Sequence, residues 1–415
     1  MDKLLMECFK GERWERQIQK AYDKGIPLRE ANFFIEPENR LWLYQKVTTD
    51  QYRISPPHEA QIPKDDGTMR TVYVNEPLDR IFLAVINEVL MDVCRDMIHP
   101  RSKAYQQGVG TSKVVKEASA WLQKSTENEI GVKADLSKYF DSVPIEFIDD
   151  AWDKVEQRVG KSVIIDILRE YYHMDCLYNL DKQLVEKYTS LRQGAAVSAF
   201  LANVVLYDMD DRISKLPVFY VRYSDDILIL GDRWKEGYAI MQEELAKRSM
   251  KLNPKKVELL QKGVYFKFLG FELRNGDITL SKRRIKDFQS EIENRTIKTK
   301  NTYRQALTKV VDYLYKGNGE YSWATSVLGT VNVEKDILTL NEFVMDCLRA
   351  SMTGKGNVGG LGFDDVQGIM RGKGRNVKAN LERTPKELEG YYTLSRMRKN
   401  LITDRDLYIY FVNMM

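Results

Sequence analysis

The residues best suited to chemistry in this chain are three aspartates. Asp225 and Asp226 sit together in Phe219-Tyr220-Val221-Arg222-Tyr223-Ser224-Asp225-Asp226-Ile227-Leu228-Ile229-Leu230, between two apolar, β-rich runs. That pattern predicts strand, tight turn, strand, with both acids at the turn. Adjacent carboxylates repel unless a cation lies between them, and hard oxygen ligands suit magnesium. Taken alone, the pair reads equally well as a surface turn. Upstream, Gly131-Val132-Lys133-Ala134-Asp135 delivers a third acid at the end of a strand-like run, with aromatic residues following. Two metal ions roughly 3.5–4 Å apart need carboxylates from more than one segment. Asp135, Asp225 and Asp226 supply that set. Between them, Gln193-Gly194 opens a block of small residues, where a nucleotide can approach the backbone closely. Lys64 and Arg70 flank Asp66-Gly67, a strong hairpin signal. A compact ammonium and a bidentate guanidinium on one hairpin can close over a triphosphate. A solvated hairpin tip is the plainer alternative.

In that order, from about Ser55 to Phe288, these blocks resemble a reverse transcriptase of the bacterial group II intron lineage. Tyr223-Ser224-Asp225-Asp226 resembles the family's Tyr-x-Asp-Asp box, and Asp135 with Phe140 its first palm motif. Gln193-Gly194, with Ser198, Leu201, Asn203 and Leu206, resembles its Gln-Gly block. Ile62-Pro63-Lys64 with Gly67 and Arg70 resembles its fingers motif. Each motif is weak alone, but the set in order is specific. The resemblance implies an α/β (α+β) right-hand polymerase, with fingers, an antiparallel palm sheet backed by helices, and a helical thumb. It puts Phe140 at the steric gate, where a ring under the incoming sugar clashes with a 2′-hydroxyl. It puts Gln193 on the sugar and base-pair edge of that nucleotide. Leu252-Asn253-Pro254-Lys255-Lys256-Val257 resembles an Asn-x-x-Lys-Thr block, with Val257 in place of Thr. Lys256 is then the candidate proton donor to pyrophosphate, with Lys255 the alternative. Phe268-Leu269-Gly270-Phe271 resembles the primer grip, with Gly270 admitting the primer end. Arg101 to Ser112 resembles the lineage's Ser-Tyr-Gly-Phe-Arg-Pro-Gly segment, with several departures, and fits a loop along the template.

The elements that must position these residues follow from periodicity. Residues 1–54 read as a helical packing extension. Leu78 to Asp96 is an amphipathic helix, and Glu146 to Val159 and Lys161 to Tyr172 are two more. Ser198 to Asp211 reads as one helix behind the palm. Its Asp208, Asp210 and Asp211 are discounted as a metal cluster, because an exposed helix end commonly carries such charges. Glu236 to Ser249 is helix, and Phe266 to Leu273 reads as one alternating strand closed by Asn275-Gly276. Fingers and palm span residues 55–281, and a helical thumb spans 282–350. Residues 351–415 form a basic C-terminal extension. Net charge is only +4, from 64 basic and 60 acidic residues, so a nucleic-acid enzyme must segregate its charge. Lys282 to Lys316 does so, with ten basic residues against four acidic ones. Residues 371–400 carry nine against three, with Tyr391 and Tyr392 interleaved, which suits RNA.

Composition narrows the class further. Apolar content is 43% and charged content 30%, as in an ordinary globular protein. Cys8, Cys94, Cys176 and Cys347 are widely separated, so a zinc site or disulfide framework is not expected, and free thiols suit the cytoplasm. No signal peptide or membrane span is expected. Nothing after the thumb reads as a zinc-bearing endonuclease, and the length beyond Phe288 is too short for a thumb plus an RNase H domain. The typical retron Val-Thr-Gly signature is missing after the primer grip. The resemblance therefore implies a compact, defence-associated bacterial enzyme. It would use two magnesium ions, with manganese a substitute, and dNTPs, to make cDNA from a partner structured non-coding RNA. The rivals are a polymerase working on another template, untemplated nucleotide addition, and a non-catalytic RNA-binding scaffold.

Overall fold

The computed structural model describes residues 2–23, 28–63, 67–126, 129–299, 303–316 and 323–352. Lys64, Asp65, Asp66 of the expected Asp66-Gly67 turn, and the basic segment from 353 onward lie outside the described residues. The chain packs as two units, one of residues 1–110 and 127–261 and one of residues 111–126 and 262–415.

The first unit is built on two four-stranded sheets. β1 (His58–Pro63) and β2 (Met69–Val74) form an antiparallel hairpin in which Ile62 faces Arg70. β3 is Glu129–Asp135. β4 (Cys176–Tyr178) and β5 (Leu184–Glu186) extend the hairpin into the order β2-β1-β4-β5, β4 running parallel to β1. β6 (Phe219–Tyr223), β7 (Asp226–Leu230) and β8 (Glu258–Gln261) join β3 in an all-antiparallel sheet of order β6-β7-β3-β8. Ile227, Leu228, Ile229 and Leu230 are all buried, so both faces of β7 are covered. Helices Tyr207–Ser214 and Trp234–Lys247 pack together behind it. Helix Pro77–Val93 begins on proline, as the first helical position favours, and buries Ile81, Phe82, Val85, Ile86, Val89 and Leu90. The N-terminal helices close over it. Trp14 stacks on Phe82 with centroids 5.9 Å apart, and Arg13 Nη1 donates to Asp92 Oδ2 at 2.7 Å.

Two sequence expectations are corrected here. The predicted helix from Ser198 to Asp211 is two helices, Ser198–Val204 and Tyr207–Ser214. Asp210 is also not a solvent-facing helix-end charge, because it is fully buried. Its carboxylate accepts from Arg222 Nη2 at 2.6 Å, Arg222 Nε at 2.9 Å and Tyr220 Oη at 2.5 Å. Arg222 is equally buried, and its remaining donors reach the carbonyls of Ala202 (3.0 Å), Asn203 (3.1 Å) and Ser224 (3.4 Å). Burial opposes the guanidinium charge, but the field and hydrogen bonds of Asp210 more than offset it and raise the Arg222 pKa.

The second unit holds β9 (Phe266–Phe268), β10 (Phe271–Arg274) and β11 (Asp277–Leu280) as an antiparallel meander. The single strand expected over Phe266 to Leu273 is thus a hairpin. Leu269 (φ 47°) and Gly270 (φ 83°) form its two-residue turn, both in the left-handed region that such turns require. Helix Thr111–Lys124 packs on this meander, with Ser119 Oγ donating to the Gly276 carbonyl at 2.6 Å. Helix Lys282–Arg295 starts at Ser281, whose Oγ accepts from Arg284 N, and buries Phe288 and Ile292. Helices Tyr303–Val311 and Glu334–Met352 pack against it, with single π turns at Asp312–Lys316 and Ala324–Leu328.

Removing one member of a buried pair strands a charge, so Asp210→Ala should cost about 3–5 kcal/mol. Asp211 bonds Lys215, whose side chain is 71% exposed, and Asp211→Ala should stay within about 0.5 kcal/mol. Urea unfolding of the two variants side by side measures the difference. Equal midpoints would deny Arg222–Asp210 its framing role.

Candidate active site

The three aspartates meet at one end of the palm-like sheet because of strand register. Asp135 ends β3, Asp226 begins β7, and the two are paired residues across the ladder. Leu136 N donates to the Asp225 carbonyl at 3.0 Å, which fixes the turn against the end of β3. The turn itself is two residues long, Ser224 and Asp225, and Ser224 has φ 61°. Glycine usually fills such a position, so a serine there carries backbone strain.

Burial and mutual repulsion both act on the acids at this end. Burial, then the charges of Asp225 and Asp135, push the Asp226 carboxyl up to about 6, against the pull of Lys133 and Lys256. Asp225 is raised too, by burial and by Asp135, against its own backbone N–H, Lys256 and Arg70. Arg70 thus lies within electrostatic reach of the acids, as does Lys256. Lys256 Nζ donates to Asp135 Oδ2 at 2.7 Å. Partial burial works against that ammonium, but the hydrogen bond and the field of all three acids hold its pKa above the ordinary range. Lys255, the alternative, is exposed, with its backbone N–H given to Asn253 Oδ1.

Hard carboxylate oxygens converging on one end of a sheet are the donor type that a hard divalent cation takes. Among the described residues, however, no three His, Cys, Asp or Glu side chains are grouped closely enough to hold a metal ion as they stand. Asp135 is the acid that pairs with Lys256.

Phe140 follows Asp135 on a one-turn helix, Tyr139–Ser142, entered through Lys138 at φ 48°. Its carbonyl accepts from Ser190 Oγ at 2.7 Å, and its ring lies 5.6 Å from that of Tyr139. Tyr139 is buried, with Oη donating to the Ala202 carbonyl at 2.6 Å. Gln193 accepts from Tyr73 N at 2.7 Å, which docks the Gln-Gly turn on β2. Gly194 has φ 113°, and a Cβ there would lie 2.7 Å from the Tyr73 carbonyl. The close approach that this glycine permits is therefore to Tyr73. Leu269 and Gly270 belong to the second unit, where Arg284 Nη1 donates to the Gly270 carbonyl at 3.2 Å and its guanidinium lies over Phe271.

Sequence reasoning passed over Arg222 and Tyr105. A charged residue inside the apolar run Phe219–Tyr223 was the available signal for Arg222. Tyr105 shares a hydrogen bond with Ser224 Oγ at 2.9 Å and meets the Phe140 ring edge-on.

Residues 62–273, just over half the chain, match the family described as reverse transcriptase (RNA-dependent DNA polymerase). The chain belongs to the reverse transcriptase family. Its α+β architecture is the right-hand polymerase fold of that family. Among curated relatives, the putative COX1/OXI3 intron 2 protein of Saccharomyces cerevisiae is 23% identical over 171 residues, 40% of this chain. The match spans only 19% of that yeast protein's length. Among solved structures, apo telomerase from Candida tropicalis is similar at 13% identity and a TM-score of 0.47, over 86% of this chain and 68% of that one. A partial Cas6-RT-Cas1–Cas2 complex matches at 17% identity and a TM-score of 0.37, over 58% of this chain and 41% of that one. Among the described residues no helix is long and apolar enough to cross a membrane.

Folded Asp226 holds its proton more tightly than the unfolded chain does. Its contribution to stability is thus fully present below about pH 4 and is lost as pH rises through about 6. Without divalent cations, the thermal midpoint should therefore climb as pH falls from about 7 to about 5. Asp226→Asn should flatten that slope and add on the order of 1–2 kcal/mol at neutral pH, allowing for partial exposure. Identical pH profiles for the two proteins would mean that neither burial nor the neighbouring acids raise Asp226 in the fold.

Proposed function

We propose that this chain is an RNA-directed DNA polymerase, with Asp135, Asp225 and Asp226 as its catalytic carboxylates. The observation that carries this reading is the register pairing of Asp135 with Asp226 beside Asp225, in a partly buried site where burial and mutual repulsion raise two of the carboxyls. The three carboxylates would hold two magnesium ions, or manganese in their place. When bound, the ions lower the pKa of the primer 3′-hydroxyl and offset charge on the triphosphate and the leaving oxygen.

The protein's own groups do the rest. Arg70, and Lys64 from the same hairpin, neutralise the triphosphate and orient it for in-line attack. Phe140 lies under the deoxyribose and clashes with a ribonucleotide's 2′-hydroxyl. Gln193 lines the sugar and base-pair edge. Lys256 keeps its proton on Nζ beside the acids and gives it to the departing pyrophosphate oxygen. Leu269 and Gly270 act as primer grip. Residues 1–54 are a packing extension, 55–281 fingers and palm, 282–350 thumb, and 351–415 a basic RNA-binding extension. The template is a partner structured non-coding RNA, dNTPs are consumed, and cDNA is released in the cytoplasm. Bacterial antiphage defence is the setting that best fits the motifs.

The test is to purify the protein with its bound nucleic acid and sequence both RNA and DNA. A parallel preparation carries Asp225→Ala and Asp226→Ala. One RNA enriched in both preparations, with complementary DNA only in the intact protein, is the expected result. RNA without DNA in either preparation would favour a binding scaffold, and DNA unrelated to the RNA would favour untemplated addition. In primer extension, Lys256→Met should lower kcat about 100-fold. Arg70→Ala should raise KM for dNTPs about 10- to 100-fold. Unchanged constants in either variant would remove that residue from its role.

A further inference from the structure

Phe140 can select a sugar only if its ring cannot swing aside, and two aromatic rings stand against it. Tyr139 lies on one side of the ring, 5.6 Å away. On another stands Tyr105, centroid 6.4 Å distant and nearly perpendicular at 86°. Tyr105 is no chance neighbour. It lies on a loop fastened to the sheet, where Arg222 N donates to the Arg101 carbonyl (2.9 Å) and Lys103 N to the Arg222 carbonyl (2.8 Å). Buried Asn203 clamps the same loop, accepting from Ser102 Oγ at 2.7 Å and donating to the Ala104 carbonyl at 3.1 Å. Tyr105 itself has φ 63° and remains 46% exposed, an unfavourable backbone for a bulky residue with little burial in return. Among the described residues, its side-chain hydrogen bond is the one to Ser224, whose own φ is 61°. Two strained residues from separate segments thus hold each other, one against the gate ring and one beside the acid pair. Strain of this kind persists where the surroundings over-determine it, and such places cluster at functional sites.

We propose that Tyr105 is a positioning residue for sugar selection, bracing the Phe140 ring edge-on while its hydroxyl is anchored on Ser224 of the acid-bearing turn. The proposal rests on the polymerase reading above, with Phe140 as gate. Tyr105→Ala removes the brace, and Tyr105→Phe and Ser224→Ala each remove only the anchor. Because the anchor is one shared bond, the double change Tyr105→Phe with Ser224→Ala costs no more than either single change.

Single-nucleotide extension on an RNA template, with matched deoxy- and ribonucleotides and magnesium, tests this. Selectivity is the ratio of kcat/KM for the two sugars. Tyr105→Ala should lower it about three- to ten-fold, the worth of an edge-to-face aromatic contact, chiefly through a lower KM for the ribonucleotide. The anchor variants should show a smaller, equal and non-additive loss. A purely structural role would lower kcat for both sugars alike. Wild type that extends while all variants keep its selectivity overturns the assignment and leaves the polymerase reading intact. Wild type that incorporates neither sugar overturns both. Should Tyr105→Ala fail to fold, the anchor variants decide: additive losses or none overturn the proposal.

Discussion

The buried pair Arg222–Asp210 is the interaction on which the rest of this architecture depends. Both side chains are wholly removed from water, and such a pair repays its desolvation only when every remaining donor is satisfied. Here the spare donors of Arg222 reach the carbonyls of Ala202, Asn203 and Ser224. One guanidinium therefore joins the end of helix Ser198–Val204, helix Tyr207–Ser214, β6 and the acid-bearing turn. The backbone of the same residue bonds the Arg101 to Lys103 loop on its outer side. Hydrophobic burial can hold these segments together, but only directed bonds fix their register, and register sets where the aspartates fall.

That fixity offsets local costs. The turn carries a serine at positive φ, the loop a tyrosine, and the one-turn helix of Phe140 begins from a left-handed lysine. Each costs of order 1–3 kcal/mol. The acids add repulsion, visible in the raised Asp226 and Asp225 carboxyls. A sheet edge left to itself would relax all of this by twisting or fraying. The ladder β6-β7-β3-β8, buried on both faces at β7, leaves it no room to do so.

Much of this was legible in the sequence because it is written locally. Alternating apolar runs around Ser224-Asp225, and helical periodicity from Leu78 and from Glu146, identify their elements without tertiary knowledge. What was missed is tertiary in origin. Asp210 looks like a surface acid until Arg222, twelve residues on, is recognised as a charge inside a doubly covered strand. The break between Val204 and Tyr207 has no glycine or proline to mark it. Leu269 disfavours the left-handed conformation it adopts, so Phe266 to Leu273 reads as one strand. Gly194 reads as room for a ligand, whereas the backbone of Tyr73 fills that room. The link from Tyr105 to Ser224 spans 119 residues, and no spacing rule reaches so far.

The position of Lys256 follows from the same economy of charge. Three carboxylates delivered by strand register cannot scatter, because their backbones are pinned. Their repulsion falls when one takes up a proton, which burial and the neighbouring acids favour at Asp226, or when a cation is drawn in. Lys256 sits on a short 3₁₀ turn, Pro254–Lys256, just before β8, with its ammonium on Asp135. Its side chain is 57% exposed, so the contact is weakly held and readily given up. An ammonium kept there stays protonated and remains within reach of whatever anion next enters the site. The contact that offsets the acids' repulsion is therefore also the one that keeps an ammonium beside them.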